Sequence, residues 1–327
     1  MTAPLTRLAS DVASPPRIAV LIPCFNEAAA IATVVRDFRS TLPAATIYVY
    51  DNNSTDGTAE IARAAGAVVR RERLQGKGHV IRRMFADVEA DFYVLVDGDA
   101  TYDAAAAPAM LELARTEGLD MVTGVRVAEG GGAYRRGHRF GNRVLTGLVS
   151  LVFGNRVSDM LSGYRVFSRR FVKSFPALAS GFETETEFTV HALELAMPIG
   201  ELPVRYRERP AGTASKLNTI RDGVRILRTI LQLVKEERPL PFFSAAAALL
   251  FAAGLALFWP VLLTYLETGL VPRLPTAILS LGVVLLSFLA FACGLVLDTV
   301  TRGRREAKRI AYLAIPGPLA HGTGGGP

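Results

Sequence analysis

The sequence predicts an α/β domain on a mostly parallel sheet, followed by two helices of membrane-crossing length. Three observations carry this prediction. Short apolar runs alternate with helical patterns from Ile18 to about Val125. Acidic and amide residues gather just after those runs, where open parallel sheets bind their ligands. Near the C-terminus, two stretches of about 24 residues carry no charge.

The elements follow in order. IAVLI (Ile18 to Ile22) has no charge, as expected of a strand buried on both faces. Glu27 to Arg39 places Ile31, Val34, Val35 and Phe38 at helical spacing, and Asn26 suits its N-cap. TIYVY predicts a second strand, and TAEIARAAG a short helix stopped by Gly66. AVVR predicts a third strand, His79 to Val88 a third helix, and FYVLV a fourth strand. AAPAMLELART is a helix, and LDMVTGV a fifth strand. From Gly137 to about Arg209 the pattern loosens. GNRVLTGLVSLVF reads as a helix, SGYRVFSRRFV as a strand turning into a helix, and GFETETEFTVHALELA as a helix with acids in its first turns.

The sequence divides into a mobile tail at 1–16, a catalytic domain at 17–216 and an amphipathic juxtamembrane helix at 217–240. Two membrane spans follow within 241–300, then a tail at 301–327, basic at first and then disordered. The juxtamembrane helix alternates an apolar stripe with Arg221, Arg225, Arg228 and Lys235, which suits the membrane interface. Basic residues flank the outer ends of the spans, at Lys235, Arg238 and Arg302 to Arg309, while the connecting loop holds only Glu267 and Arg273. That asymmetry predicts a domain and tail on the cytoplasmic side of the inner membrane. The first sixteen residues lack the apolar run of a secretory signal.

The formal charge of +7 over 327 residues admits nucleic acid, a membrane surface or a phosphorylated small molecule as partner. Nucleic acid is excluded, because the basic residues flank the apolar spans and no aromatic stacking platform accompanies them. Cys24 and Cys293 lie in unrelated contexts, so no disulfide and no zinc site is expected.

The chemistry concentrates at strand ends. In YVLVDGDATYD, Asp97 and Asp99 leave the fourth strand one residue apart. Two carboxylates so close are stabilised by a divalent cation shared with a phosphate, and Mg²⁺ or Mn²⁺ takes such oxygen ligands. The competing reading is an acidic turn that only ends the strand. Asp103 reads as a cap for the following helix. IPCFNE puts Asn26 and Glu27 after the first strand, and YDNNSTDGT puts Asp51 at the end of the second. QGKGHV sets Lys77 between two glycines that let it approach a ligand.

The ordered set IPCFNE, DNNSTDGT, GKG and DGDATYD resembles the nucleotide-sugar half of a family 2 glycosyltransferase with the GT-A, Rossmann-like fold. DMLSGYRVFSRR, GFETETEFTVHA and YRERPAGTASKL resemble the polyprenyl-phosphate glycosyltransferases, relatives of dolichol-phosphate mannose synthase. The resemblance covers about Ile18 to Leu217. It implies a nucleoside site at Pro23, Asn26, Glu27 and Asp51, joined by Lys77, Asp97 and Gly98. It implies metal and diphosphate carboxylates at Asp97 and Asp99. It places Arg126, Arg139, Arg143, Arg209, Ser215 and Lys216 in segments that grip phosphates. Glu183 and Glu185 are candidates for a base or for orienting sugar hydroxyls. Thr101 stands where some members carry Gln, and RPAGTASK is one residue longer than the mannose synthase pattern.

The implied activity is inverting transfer of a sugar from a nucleotide-diphosphate sugar to a polyprenyl phosphate, for envelope glycan assembly. A UDP-sugar is favoured over GDP-mannose, because DNNSTDGT differs from the two-Asp version of that segment typical of mannose synthases. Partners are the donor, the lipid phosphate and the membrane, with a homo-oligomer left open. Two other readings stand beside it: transfer to another lipid or glycolipid, and a membrane-tethered nucleotide-sugar scaffold without catalysis.

Overall fold

The computed structural model describes residues 15–128, 157–181, 183–207, 235 and 238–318. Arg139, Arg143, Arg209, Ser215, Lys216 and nearly all of the expected juxtamembrane helix lie outside the described residues, as does the helix expected at GNRVLTGLVSLVF.

The domain runs β1 (Ile18–Cys24), α1 (Ile31–Thr41), β2 (Thr46–Asp51), α2 (Thr58–Ala64), β3 (Val68–Arg71), α3 (Lys77–Asp87) and β4 (Phe92–Leu95). A 3₁₀ turn at Ala104–Ala106 leads into α4 (Ala107–Thr116), then β5 (Met121–Ala128). After the undescribed stretch come β6 (Arg165–Ser168), α5 (Arg169–Ser174), α6 (Thr184–Glu194) and β7 (Ile199–Tyr206). The strand order is β3-β2-β1-β4-β6-β5-β7.

The parallel pairs set the site. Cys24 lies level with Asp51, Asp51 with Arg71, and Leu21 with Leu95. The loops after β1, β2, β3 and β4 therefore leave the sheet at one edge. β6 breaks the pattern by running antiparallel between β4 and β5, with Leu95 opposite Arg165. That reversal brings the turn before β6 to the same edge as the loop after β4.

Two buried layers cover the sheet, as the period-2 alternation of a strand requires. Val20 and Ile22 of β1 pack with Phe38, Met110 and Tyr164 on one face. Ala19 and Leu21 pack with Phe85, Phe167, Phe171 and Phe188 on the other. Each such fully buried large side chain contributes roughly 1.5–3 kcal/mol.

Three local expectations are corrected. α1 begins at Ile31 and not at Glu27, with Ala30 at its N-cap position and no side-chain cap. Asn26 instead adopts φ 52 and accepts a hydrogen bond from Thr55 N. α3 begins two residues earlier than expected, at Lys77, after Gly76 at φ +136. β7 escapes the sequence pattern because Gly200, Glu201 and Pro203 interrupt its apolar run; as an edge strand it tolerates them. Asp103 does accept from Ala105 N and caps the 3₁₀ turn.

Two helices long and apolar enough to cross a membrane complete the chain: α7 (Pro239–Thr268) and α8 (Leu274–Leu313). They pack antiparallel along a stripe repeating every seven residues: Ala247, Gly254 and Val261 on α7, and Ser280, Ser287, Gly294 and Thr301 on α8. Small residues let the backbones approach. A Cβ on Gly254 would lie 2.7 Å from Val284 Cγ2, and Ser287 Oγ donates to Ala247 O at 3.0 Å. Outward faces expose Leu249, Leu266, Phe288 and Val296. α8 does not stop at the end of its apolar run. It continues through the basic segment to Leu313, where the sequence suggested a tail.

Candidate active site

The first two loops are latched together. Asn26 N donates to Ser54 Oγ and Thr55 N donates to Asn26 Oδ1, both at 2.9 Å. Glu27 N donates to Thr58 Oγ1 at 2.9 Å. Asp56 accepts from Ala28 N and Thr58 N. Burial pushes the Asp56 carboxyl up, but the hydrogen bonds from Thr58 and Ala28 outweigh it and hold it below the usual range. Asp51 is buried at the end of β2 and takes Ser54 N on both oxygens at 3.3 Å. Asn52, beside it, donates to Glu72 O and Leu74 O and accepts from Gly76 N. It thereby fixes the loop that delivers Lys77.

The β4 exit lies against β1. A Cβ on Gly98 would sit 2.6 Å from Cys24 Sγ, so any side chain there would have to displace the buried thiol. Asp99 is 3% exposed; Thr101 N and Oγ1 donate to its Oδ1 at 3.2 and 2.6 Å. Asp97 is more open and faces the turn before β6. A Cβ on Gly163 would collide with Asp97 Oδ2.

Lys77 joins two distant segments. Its Nζ donates to Asp97 Oδ1 and to Glu185 Oε1, both at 2.5 Å. Burial favours the neutral amine, but the charges of Asp97 and Glu185 outweigh it and hold its pKa well above the usual lysine value. Lys77 is therefore an ammonium. Glu185 is buried, and its Oε2 has no hydrogen-bond partner among the described residues.

The three acids of the ETETE run divide the work. Glu185 meets Lys77. Glu187 accepts from Leu178 N and Ala179 N at 2.8 and 2.9 Å and shapes the loop before α6. Glu183 takes Gly181 N on Oε1, and its Oε2 has no partner among the described residues.

Among the described residues, no three His, Cys, Asp or Glu gather into a metal-holding group. The donor set at Asp97 and Asp99 is two carboxylates, which fits a hard cation that takes its other oxygens from a ligand.

Residues 19–175 match the family model described as glycosyl transferase family 2. A glycosyltransferase of Haloferax volcanii, AglJ, is 33% identical across 92% of this chain and 99% of its own length. This chain belongs to glycosyl transferase family 2. A dolichyl-phosphate hexose transferase of the same organism is 29% identical over 68% of this chain and 95% of its own. Among solved structures, glucosyl-3-phosphoglycerate synthase from Mycobacterium tuberculosis, in complex with Mn²⁺, UDP and phosphoglyceric acid, matches with TM-score 0.55. The match spans 67% of this chain and 78% of that one at 22% identity, and it shows a shared GT-A-like fold.

In this family 2 domain, Pro23, Asn26, Glu27, Asp51, Lys77, Asp97, Gly98 and Asp99 all stand at the one strand edge. Glu185 joins them from α6 through Lys77. Arg126, near the C-terminal end of β5 and so at the same edge, forks onto Asp159 with two 2.7 Å hydrogen bonds and lies 5.6 Å from the Tyr206 ring centroid. Sequence reasoning missed Arg165. It is fully buried and donates to Met160 O, Ser162 O, Glu185 O and Thr189 Oγ1. Burial pulls its guanidinium down to about 10, against the raising effect of the Glu185 and Asp159 charges. It ties the turn beside Asp97 to the first turn of α6. The one available signal was an arginine inside the otherwise apolar run GYRVF.

Proposed function

We propose that this family 2 chain transfers a sugar from a nucleoside-diphosphate sugar, with UDP preferred to GDP, to a polyprenyl phosphate at a membrane face. The observation that carries the reading is the joining of a family 2 domain to two helices apolar enough to span a bilayer. The likeness to a protein named dolichyl-phosphate hexose transferase supports the acceptor class. The UDP complex of the fold neighbour supports the donor, as does DNNSTDGT, which differs from the two-Asp version of that segment in mannose synthases. The charge pattern around the spans favours a cytoplasmic catalytic domain on an inner membrane.

In this reading Pro23, Asn26, Glu27 and Asp51 bind the nucleoside end. Asp97 and Asp99 would hold Mg²⁺ or Mn²⁺, which when bound supplies charge neutralisation on the diphosphate. Lys77 keeps a fixed positive charge between Asp97 and Glu185. The unpartnered oxygen of Glu185 accepts from a sugar hydroxyl. Arg126 joins Arg139, Arg143, Arg209, Ser215 and Lys216 around the phosphates. A lipid monophosphate, with a second pKa of about 6, is mostly dianionic at neutral pH. It attacks the anomeric carbon without a strong general base, opposite the leaving diphosphate, so the configuration inverts. The protein's share is positioning and electrostatics.

A lipid-extraction assay tests this. Purified protein meets polyprenyl phosphate and labelled UDP- and GDP-sugars, with Mg²⁺, Mn²⁺ or chelator. Label is expected in the lipid phase from a UDP-sugar, and lost with chelator. Label passing only to a glycolipid would move the reading to that acceptor. No transfer from any donor would favour the binding scaffold, and transfer undiminished by chelator would remove the metal.

A further inference from the structure

Two buried carboxylates lie away from the site, and both are held by the far end of α8. Glu194, the last residue of α6, is 1% exposed at its side chain. Lys308 Nζ donates to its Oε2 at 2.7 Å, and Arg305 Nε stands 3.3 Å from Oε1. These are its only charged partners among the described residues. Asp120, just before β5, is fully buried. It accepts from Ser168 Oγ, from Arg170 Nε and Nη2, and from Tyr312 Oη at 2.7 Å. The Arg170 guanidinium stacks 4.5 Å from the Tyr312 ring centroid, and that ring packs on the aromatic layer of the sheet.

Surface ion pairs hold little, but a buried carboxylate stripped of its partner is strongly destabilising. The α8 end is therefore built into the domain. Arg305, Lys308 and Tyr312 follow helical spacing on one face of a helix that begins in the apolar span. Lys308 is ten residues past Asp298, about 15 Å along the axis and clear of the hydrocarbon layer. The gripped helix α6 runs back to the site: Glu185 and Glu194 are nine residues apart, about 14 Å.

We propose that Lys308, Tyr312 and their partners Glu194 and Asp120 are positioning residues. They clamp the catalytic domain to its own membrane helix and thereby set the site's height and tilt over the bilayer-held acceptor. This rests on the membrane-acceptor reading above. The clamp acts on access of a lipid-anchored phosphate and not on the chemistry of transfer. Its signature is a raised KM for long-chain acceptor, with kcat and donor KM unchanged.

The test uses the full-length protein in nanodiscs, as wild type, Lys308→Glu, Lys308→Arg and Tyr312→Phe. Each is assayed with long-chain polyprenyl phosphate in the bilayer and with a short, water-soluble prenyl phosphate. Lys308→Glu is expected to raise the long-chain KM roughly tenfold, the scale of one charged contact, and to leave the soluble acceptor unaffected. Lys308→Arg should restore wild-type behaviour, and Tyr312→Phe should show a smaller rise. Hydrogen exchange reads the clamp without any substrate: Lys308→Glu should raise exchange at 305–313 and at the C-terminal end of α6. Unchanged exchange overturns the clamp. A proportional loss on both acceptors, or a wild-type KM in both Lys308→Glu and Tyr312→Phe, overturns the positioning role. If Lys308→Glu does not fold, Tyr312→Phe decides by the same two readouts. If wild type transfers to neither acceptor, the acceptor reading fails and exchange alone judges the clamp.

Discussion

The two ends of α6 carry buried glutamates with different charged neighbours. At its start, Glu185 meets one ammonium through Oε1, and its Oε2 has no hydrogen-bond partner among the described residues. At its end, Glu194 lies between two cations of α8: Lys308 donates to Oε2, while Oε1 has Arg305 Nε 3.3 Å away and likewise no hydrogen-bond partner among the described residues. Asp99 and Asp120 differ as well. Asp99 accepts from Thr101 N and Oγ1, whereas Asp120 takes both oxygens into a network of Ser168, Arg170 and Tyr312. Asp120 is a buried acid tied into the fold by side chains of β6, α5 and α8. Glu185 and Asp99 are the buried acids that the proposed function assigns to the donor site.

That contrast is easiest to break at Asp120. Asp120→Ala leaves Arg170 without its partner and should cost about 3–5 kcal/mol of stability, read by denaturant titration in detergent. Turnover of a soluble acceptor per folded molecule should persist. At Asp99 and Glu185 the order reverses. Asp99→Ala should reduce transfer by roughly 10²–10³-fold, with a stability loss of only about 1–3 kcal/mol from the Thr101 donors it orphans. Equal activity would remove Asp99 from the diphosphate site. Glu185→Gln keeps an acceptor for Lys77 but loses the charge, and transfer should fall roughly tenfold. A melting temperature that fell in step would class Glu185 with the structural acids.

A fourth test uses pH. His191 is buried on α6 beside Phe171 and Phe175, and burial, assisted by the Lys308 charge, lowers its pKa to about 3. The folded state therefore binds fewer protons than the unfolded chain between about 3 and about 6.5. Stability from the neutral ring is present above that range and lost as pH falls through it, by at most about 1.4 kcal/mol per unit. His191→Phe should flatten that part of the melting-temperature profile. The smallest expected effect is Thr101→Val. It removes one hydrogen bond to Asp99, so about 1 kcal/mol of stability and a few-fold of activity are at stake.

Legibility in the sequence followed the same division. β1, β2 and β4 were readable because strands buried on both faces are short charge-free runs. Asp97 and Asp99 were readable because they follow such a run directly. The direction of β6 was not, since an apolar run has no marker for parallel or antiparallel pairing. The Lys77–Glu185 contact was not, since 108 residues separate the pair and no spacing rule spans that distance. Asn26 misled because the residue type that caps helices also latches loops. The basic run at Arg302 to Arg309 looked like a solvated tail, but the stripe of Arg305, Lys308 and Tyr312 becomes visible only once their acids are placed.

α8 is one continuous rod from its apolar span to Tyr312, and a rod has a phase as well as a length. One residue inserted between Asp298 and Arg305 would turn the gripping face by about 100° and lift it by about 1.5 Å. The lift is trivial, but the rotation takes Lys308 and Tyr312 away from Glu194 and Asp120. Seven inserted residues would bring the face back to within about 20° while raising the domain by about 10 Å. Under the proposed membrane-acceptor function, the distance between site and bilayer is thus a quantity that can be dialled in steps of two helical turns, with the grip itself kept intact.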